Sequence, residues 1–283
     1  MSRLEDIEVR TKGYLTQIDA HRKHTITSTN IDPSILPYIS KHVGKVRDVY
    51  RSENVICMVA TDRQSAFDRQ LASVPFKGQV LNLTSKWWFE KTSHIVPNHT
   101  IAYPHPNITM GKKCTVFPVE FVMRGYLTGS TSTSIWTNYS KGVRDYCGHT
   151  LPNDMVKNQK LAMNLLTPTT KDDLHDELIS AEEVVRGGRM TQEEWDICAK
   201  YATELFSFSQ KIVAEKGLIL VDTKYEFGKD EEGVIILIDE IQTPDSSRFW
   251  LSGSYDQRMA EGKVRTSFLS LQSFLYIIYY FLS

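Results

Sequence analysis

Two short apolar runs, 218–221 and 234–238, stand near the end of the chain, each ending in charge and separated by a polar turn. Asp222, Lys224 and Glu226 alternate with Thr223 and Tyr225. If the first strand continues, a period of two puts these three charges on one face. A hairpin turning near 229–232 would set Asp222 roughly opposite Asp239, which ends the second run together with Glu240. Three acids and one lysine at the end of a buried strand pair would be costly as core, but they suit a cation and a phosphate.

The rest of the pattern divides the chain into mixed α and β elements. Residues 1–36 are polar and predict a leading helix or extended arm. Apolar positions on both sides of 52–54 predict a β-hairpin, with Gly44-Lys45-Val46-Arg47 at its start. That short motif reads either as a surface turn or as a weak phosphate loop, and it is not the Walker pattern. Val80, Leu83, Trp87 and Trp88 predict an amphipathic helix over 79–93. Residues 97–106 read as a proline-punctuated connection. The run 114–123 predicts a strand, and Glu120 within it is either a functional acid or a hydrogen-bonded strand residue. Residues 124–134 offer Gly, Ser and Thr beside Arg124, a composition suited to holding an anion. By composition, 166–180, with Lys171 and His175, reads as a solvated face. Ser180 with Glu183 and Thr191 with Glu194 form capping boxes, and the second opens a helix running towards Gly217.

Composition narrows the class. With 41% hydrophobic and 24% charged residues over 283 positions, the chain is globular and long enough for one large or two ordinary domains. The net charge of −1 gives no reason to expect a nucleic-acid or membrane surface as the main partner. Cys57, Cys114, Cys147 and Cys198 have no metal-like spacing, which suits reduced thiols in the cytoplasm. No secretory signal is visible at the N-terminus.

The residues suit phosphoryl transfer. Glu226 and Asp239 can supply the hard oxygens that Mg²⁺ takes beside substrate phosphates. Lys224 and Lys45 can neutralise a phosphoryl group in transfer, while Arg124 and Arg248 can hold an anionic substrate bidentately. The loop near Ser130 completes a second anion site. No Ser–His–Asp order or Cys–His pair is evident, so positioning and electrostatics carry the expected chemistry.

At this point, longer motifs become informative. FPVEFVMRGYLTGS (117–130) and LVDTKYEFG (220–228) resemble two signature segments of the SAICAR synthetase family. GKVRDVY (44–50), TDRQSAFD (61–68), HDELIS (175–180) and DEIQTPDSSRFW (239–250) resemble further segments, in the same order. The EFG…TPDSSR wording is most similar to the monomeric fungal-type branch. The resemblance implies an α+β, two-lobed fold: an antiparallel β N-terminal lobe over 1–118, an α+β C-terminal lobe over 119–263, and ATP in a kinase-like cleft. It implies a ligase that joins L-aspartate to the carboxylate of CAIR, a phosphoribosyl-aminoimidazole, at the expense of ATP with Mg²⁺. Gly44, Lys45 and Arg47 then cover the ATP phosphates, with Glu120 also on the ATP side, and Glu226 and Asp239 hold the metal. Lys224 lies between the phosphates and the substrate, and Lys224 and Arg124 form the catalytic pair. Arg124, Ser130 and Arg248 grip CAIR, with Asp245, Asp62, Ser65 and His175 as further substrate contacts and Asp68 a weaker candidate. Asp222 is expected only to orient Lys224 through an ion pair.

The resemblance ends near Gly262. Residues 264–283 are apolar and uncharged but for Arg265, where the family continues with charged helices. The expectation is an alternative end that leaves a shortened enzyme; the other reading is a membrane-seeking tail. The resulting picture is a cytoplasmic monomer acting on small molecules, with a catalytically impaired nucleotide-binding relative as the alternative.

Overall fold

In the computed structural model, which describes residues 3–66, 69–171 and 177–262, the chain opens with helix α1 (Arg3–Ala20) and an irregular arm. Asp68, His175 and the apolar segment 264–283 lie outside the described residues. The architecture is α+β with antiparallel sheets, and the chain divides into two units.

The first unit comprises the residues up to Lys91 together with Asn98–Cys114. Its elements are β1 (Ser40–Val43), β2 (Arg47–Arg51), β3 (Val55–Ala60), β4 (Arg63–Ala66), β5 (Arg69–Ser73), α2 (Lys77–Thr92), β6 (Thr100–His105) and β7 (Ile108–Lys112). Five strands form an antiparallel sheet in the order β1-β2-β3-β7-β6, while β4 and β5 pair as a separate hairpin. The expected hairpin is β2–β3, closed by Ser52 N donating to Val55 O at 2.9 Å. Tyr50, Cys57 and Val59 form the buried centre, with Ile31, Leu36 and Tyr38 packed against it. Residues 97–106 are more than a connection: β6 pairs with β7 at the sheet edge. Pro104 is tolerated there because an edge strand need not use every N–H in a ladder. The start of α2 runs against β3, where a Cβ on Gly78 would stand 2.2 Å from Ala60 O. Only glycine permits that approach.

The second unit comprises Thr92–Pro97 and the residues from Thr115 on. Its elements are β8 (Thr115–Val116), β9 (Val119–Tyr126), α3 (Ile135–Ser140), β10 (Asp145–Tyr146), β11 (His149–Thr150), β12 (Lys160–Leu166), β13 (Thr169–Thr170), α4 (Ala181–Arg186), α5 (Gln192–Glu215), β14 (Leu218–Lys229), β15 (Ile235–Ile238), β16 (Ser247–Leu251) and α6 (Ser252–Ala260). The strand expected over 114–123 is interrupted at Pro118, which has no N–H to give. Both capping boxes form, with Glu183 N reaching Ser180 Oγ and Glu194 N reaching Thr191 Oγ1.

β14 organises this unit, pairing with β9, β15, β16 and β8. One face of β9 and β14 carries Phe121, Met123, Tyr225 and Phe227, all buried. Helix α5 packs on both strands, and its Trp195 stacks on Phe121 with centroids 5.2 Å apart. Burying each such side chain contributes about 1.5–3 kcal/mol. The alternate positions of the same strands then fall on the other face, where the polar residues lie. The hairpin register differs from the expectation. Because β14 continues to Lys229, Glu226 faces Ile238, and Asp222 has no partner on β15.

Candidate active site

Register alone sets the first row of the site. Asp222 on β14 is the direct cross-strand partner of Arg124 on β9 and of Arg248 on β16. Residues directly opposite in antiparallel strands project to the same side, so Arg124, Asp222 and Arg248 form one row on this face. Arg248 Nε donates to Asp222 Oδ1 at 2.7 Å. Asp222 Oδ2 is buried and has no hydrogen-bond partner among the described residues. The expected ion pair with Lys224 is therefore corrected: Asp222 pairs with Arg248, because the strand pairing brings Arg248 beside it, while Lys224 lies two residues further along β14.

Arg124 is held on several sides. Its Nε donates to Thr167 Oγ1 at 2.8 Å and its Nη2 to Thr133 O at 3.1 Å. The guanidinium Cζ lies 5.8 Å from the Tyr146 ring centroid. Tyr146 also donates to Thr133 O, at 2.6 Å, and burial pushes its phenol up to about 12, so it stays protonated at neutral pH. The Gly/Ser/Thr loop thus closes onto the arginines. Gly129 has φ 106°, and a Cβ there would meet Ser134 Oγ at 2.4 Å. Ser130 itself is exposed, and it is Thr131 and Thr133 that line the cavity.

The second row is a cluster of charge. Lys224 Nζ lies 2.6 Å from Glu120 Oε1 and 3.1 Å from Glu226 Oε1. Thr169 Oγ1 donates to Glu120 Oε2 at 3.2 Å, and Lys171 pairs with Glu226 Oε2. Burial works against charge on Lys224, but the carboxylates of Glu226, Glu120 and Asp239 outweigh it and raise its pKa well above the ordinary lysine value. At neutral pH Lys224 is a fixed cation and not a base. Asp239 follows β15 in a left-handed conformation, φ 67°, a strained geometry that concentrates at functional sites.

A cavity of about 340 Å³ is lined by the arginine row together with Glu120 and Lys224 of the second, and by Asp245, Ser246 and Ser247. Among the described residues, no three His, Cys, Asp or Glu side chains form a closed metal cage. Mg²⁺ normally takes one or two carboxylates and completes its shell with water and substrate phosphate oxygens. Here both Glu226 oxygens are engaged by Lys224 and Lys171, which a bound cation would displace. Glu226 and Asp239 fit that donor chemistry. A larger cavity, about 700 Å³, is lined by Cys147, His149, Ile179, Glu182, Arg186 and Trp195 among others. Its one arginine is paired with Glu182 at 3.6 Å, so it lacks the convergent cations of the smaller site.

The remaining candidates lie in the first unit. Gly44 N donates to Arg47 O at 2.8 Å, closing a turn with Lys45 exposed at its tip. A Cβ on Gly44 would come within 2.9 Å of Arg47 O. Asp62 is 3% exposed, and its two oxygens accept from Ile26 N at 2.9 Å and Gly78 N at 3.0 Å. It therefore ties the N-terminal arm to α2. Ser65 Oγ donates to Arg69 O at 3.2 Å within the β4–β5 hairpin. Sequence reading by composition missed Lys171, which it left on a solvated face. The neighbouring HDELIS motif was the available signal.

Comparison with known proteins places the chain in a family. The family model for SAICAR synthetase matches residues 40–268. The phosphoribosylaminoimidazole-succinocarboxamide synthase of Legionella pneumophila (strain Paris) is 59% identical over 228 residues, covering 81% of this chain and 73% of that protein. The chloroplastic enzyme of Vigna aconitifolia is 53% identical over 249 residues, covering 87% and 73%. Among solved structures, the Saccharomyces cerevisiae SAICAR synthase complexed with SAICAR superposes with a TM-score of 0.73 at 30% identity, covering 91% of this chain and 98% of that one. A SAICAR synthetase in complex with ADP gives 0.64 at 25% identity, covering 80% and 92%. The higher identities are to bacterial and plant proteins, so these matches do not tie the chain to the fungal branch. The chain belongs to the SAICAR synthetase family.

Proposed function

We propose that the chain is an ATP-dependent ligase of purine biosynthesis that joins L-aspartate to the carboxylate of CAIR, giving SAICAR, ADP and phosphate. The observation that carries this reading is the polar sheet face itself. There, two arginines flank one aspartate beside a charged lysine set among carboxylates. Family membership supplies the substrate class.

A carboxylate is a poor acyl donor until one of its oxygens becomes a leaving group. A CAIR carboxylate oxygen attacks the γ-phosphorus of ATP, the bond to the bridging oxygen breaks, and ADP departs with the electron pair. The aspartate amine then attacks the activated carbonyl carbon, the carbon–oxygen bond to phosphate breaks, and the amine loses a proton. Arg124 and Arg248 hold the phosphate and carboxylate of CAIR, with Thr131, Thr133 and Asp245 lining the same cavity. Ser130, exposed and outside that lining, is replaced in the expected role by its two threonine neighbours. Lys224 offsets the charge in transfer, and Glu120 holds it in place at 2.6 Å. Glu226 and Asp239 would hold Mg²⁺, which when bound adds charge neutralisation at the phosphates. Gly44, Lys45 and Arg47 take the ATP phosphates.

The site charges at Lys224, Glu226, Arg124 and Arg248 are all in place, and no observation favours a catalytically impaired relative. Among the described residues, no helix is long and apolar enough to cross a membrane. A cytoplasmic monomer is part of the same proposal. The test is SAICAR formation from CAIR, L-aspartate and Mg-ATP. ADP release that does not depend on aspartate would overturn the reading.

A further inference from the structure

Arg63 begins β4 in the first unit and is only 4% exposed, yet the chemistry above does not use it. A buried guanidinium is costly unless its N–H groups are met. Here Nη2 donates to Gly44 O at 2.8 Å and to Asp48 Oδ1 at 2.7 Å, Nε to Lys45 O at 3.3 Å, and Nη1 to Thr27 O at 2.8 Å. Thr61, two residues earlier, gives both its N–H, at 2.9 Å, and its hydroxyl, at 2.7 Å, to Val46 O. The carbonyls of three successive residues, Gly44, Lys45 and Val46, are thus turned onto Thr61 and Arg63.

This has a geometric consequence. In a trans peptide the C=O and the following N–H point in opposite directions. Holding those three carbonyls on one side therefore turns the amides of Lys45, Val46 and Arg47 to the other. Successive amides on one side of a turn form an anion-binding edge. Asp48 locks the guanidinium in turn. Its second oxygen accepts from Thr29 N at 3.1 Å and Thr29 Oγ1 at 2.6 Å, and Lys41 Nζ lies 3.5 Å away.

We propose that Arg63 is a positioning residue for nucleotide phosphates: it grips the carbonyl edge of the Gly44–Arg47 turn and so orients its amide edge and Lys45. The inference rests on reading that turn as the ATP phosphate loop. It predicts a loss specific to phosphate. Calorimetry on the full chain with ATP and with adenosine is the test. Arg63→Lys should weaken ATP binding about tenfold or more, as expected when a charged multidentate hydrogen bond is lost, and leave adenosine within about twofold. Thr61→Val, which removes a single hydroxyl bond, should shift ATP in the same direction by about threefold. Tyr50→Phe is the control: its hydroxyl contacts Thr29 and Ile31 in the same network but does not touch the turn, so it should destabilise without the ATP loss. If the Arg63 and Thr61 variants bind ATP like the wild type, or lose adenosine equally, the inference is overturned. If the wild type itself does not distinguish ATP from adenosine, the phosphate-loop reading falls and takes the inference with it.

Discussion

Lys224 shows how neighbours decide the role of a single group. Burial would favour the neutral amine, but three carboxylates keep it charged, so its part in catalysis is electrostatic. Lys224→Met should lower kcat about a hundredfold or more while ATP still binds, measured by steady-state SAICAR formation and nucleotide titration. The raised pKa also sets a pH rule. In the metal-free protein, stability that depends on this charge persists through neutral pH and fades only in strong alkali, as pH rises through the folded value, which a thermal scan against pH reads. Asp222 plays a different part. Asp222→Asn removes the charge that holds Arg248 and replaces an acceptor with a donor beside its guanidinium group. Its expected effect is a rise in KM for CAIR with KM for ATP unchanged, and equal changes in both would contradict the assignment.

At the scale of elements, the site depends on β14 being long and on one loop being able to turn back. Strand β14 reaches four neighbours because it runs for 12 residues, which lets it serve both the arginine row and the lysine cluster. The loop after β9 needs Gly129 at φ 106° with Ser134 Oγ packed where a Cβ would go. Gly129→Ala should cost about 1–3 kcal/mol of stability and displace Thr133 O from Arg124, raising KM for CAIR. Thermal unfolding and kinetics on the same preparation check both effects. The β2–β3 hairpin and both capping boxes were legible in the sequence because their signals are local. β6 was not, since Pro104 reads as a break until the strand is known to lie at an edge.

At the scale of the whole molecule, Asp48 links acid stability to the polar network of the first unit. Burial resists its ionisation, but the hydrogen bonds from Thr29 and Arg63 outweigh this and hold its pKa below the usual carboxylate value. A depressed carboxylate pKa stabilises the fold above the unfolded value, and that contribution is lost as pH falls through the folded one. The melting temperature should therefore drop on acidification below the ordinary carboxylate range. Asp48→Asn should start lower at neutral pH and show a shallower acid limb in thermal scans.

The sequence by itself determined the elements with local signals, the family, and which residue types crowd the polar face of β14. Period two assigns a face, and motifs such as LVDTKYEFG identify the chemistry. Neither names a partner. Only the tertiary structure decided that Asp222 answers to Arg248, that Lys171 reaches Glu226 across 55 positions, and that Arg63 holds Gly44 and Lys45. The physical reason is that a partner depends on which strands become neighbours and in what register. That is set by the packing of the whole sheet on α5, not by any short stretch of chain.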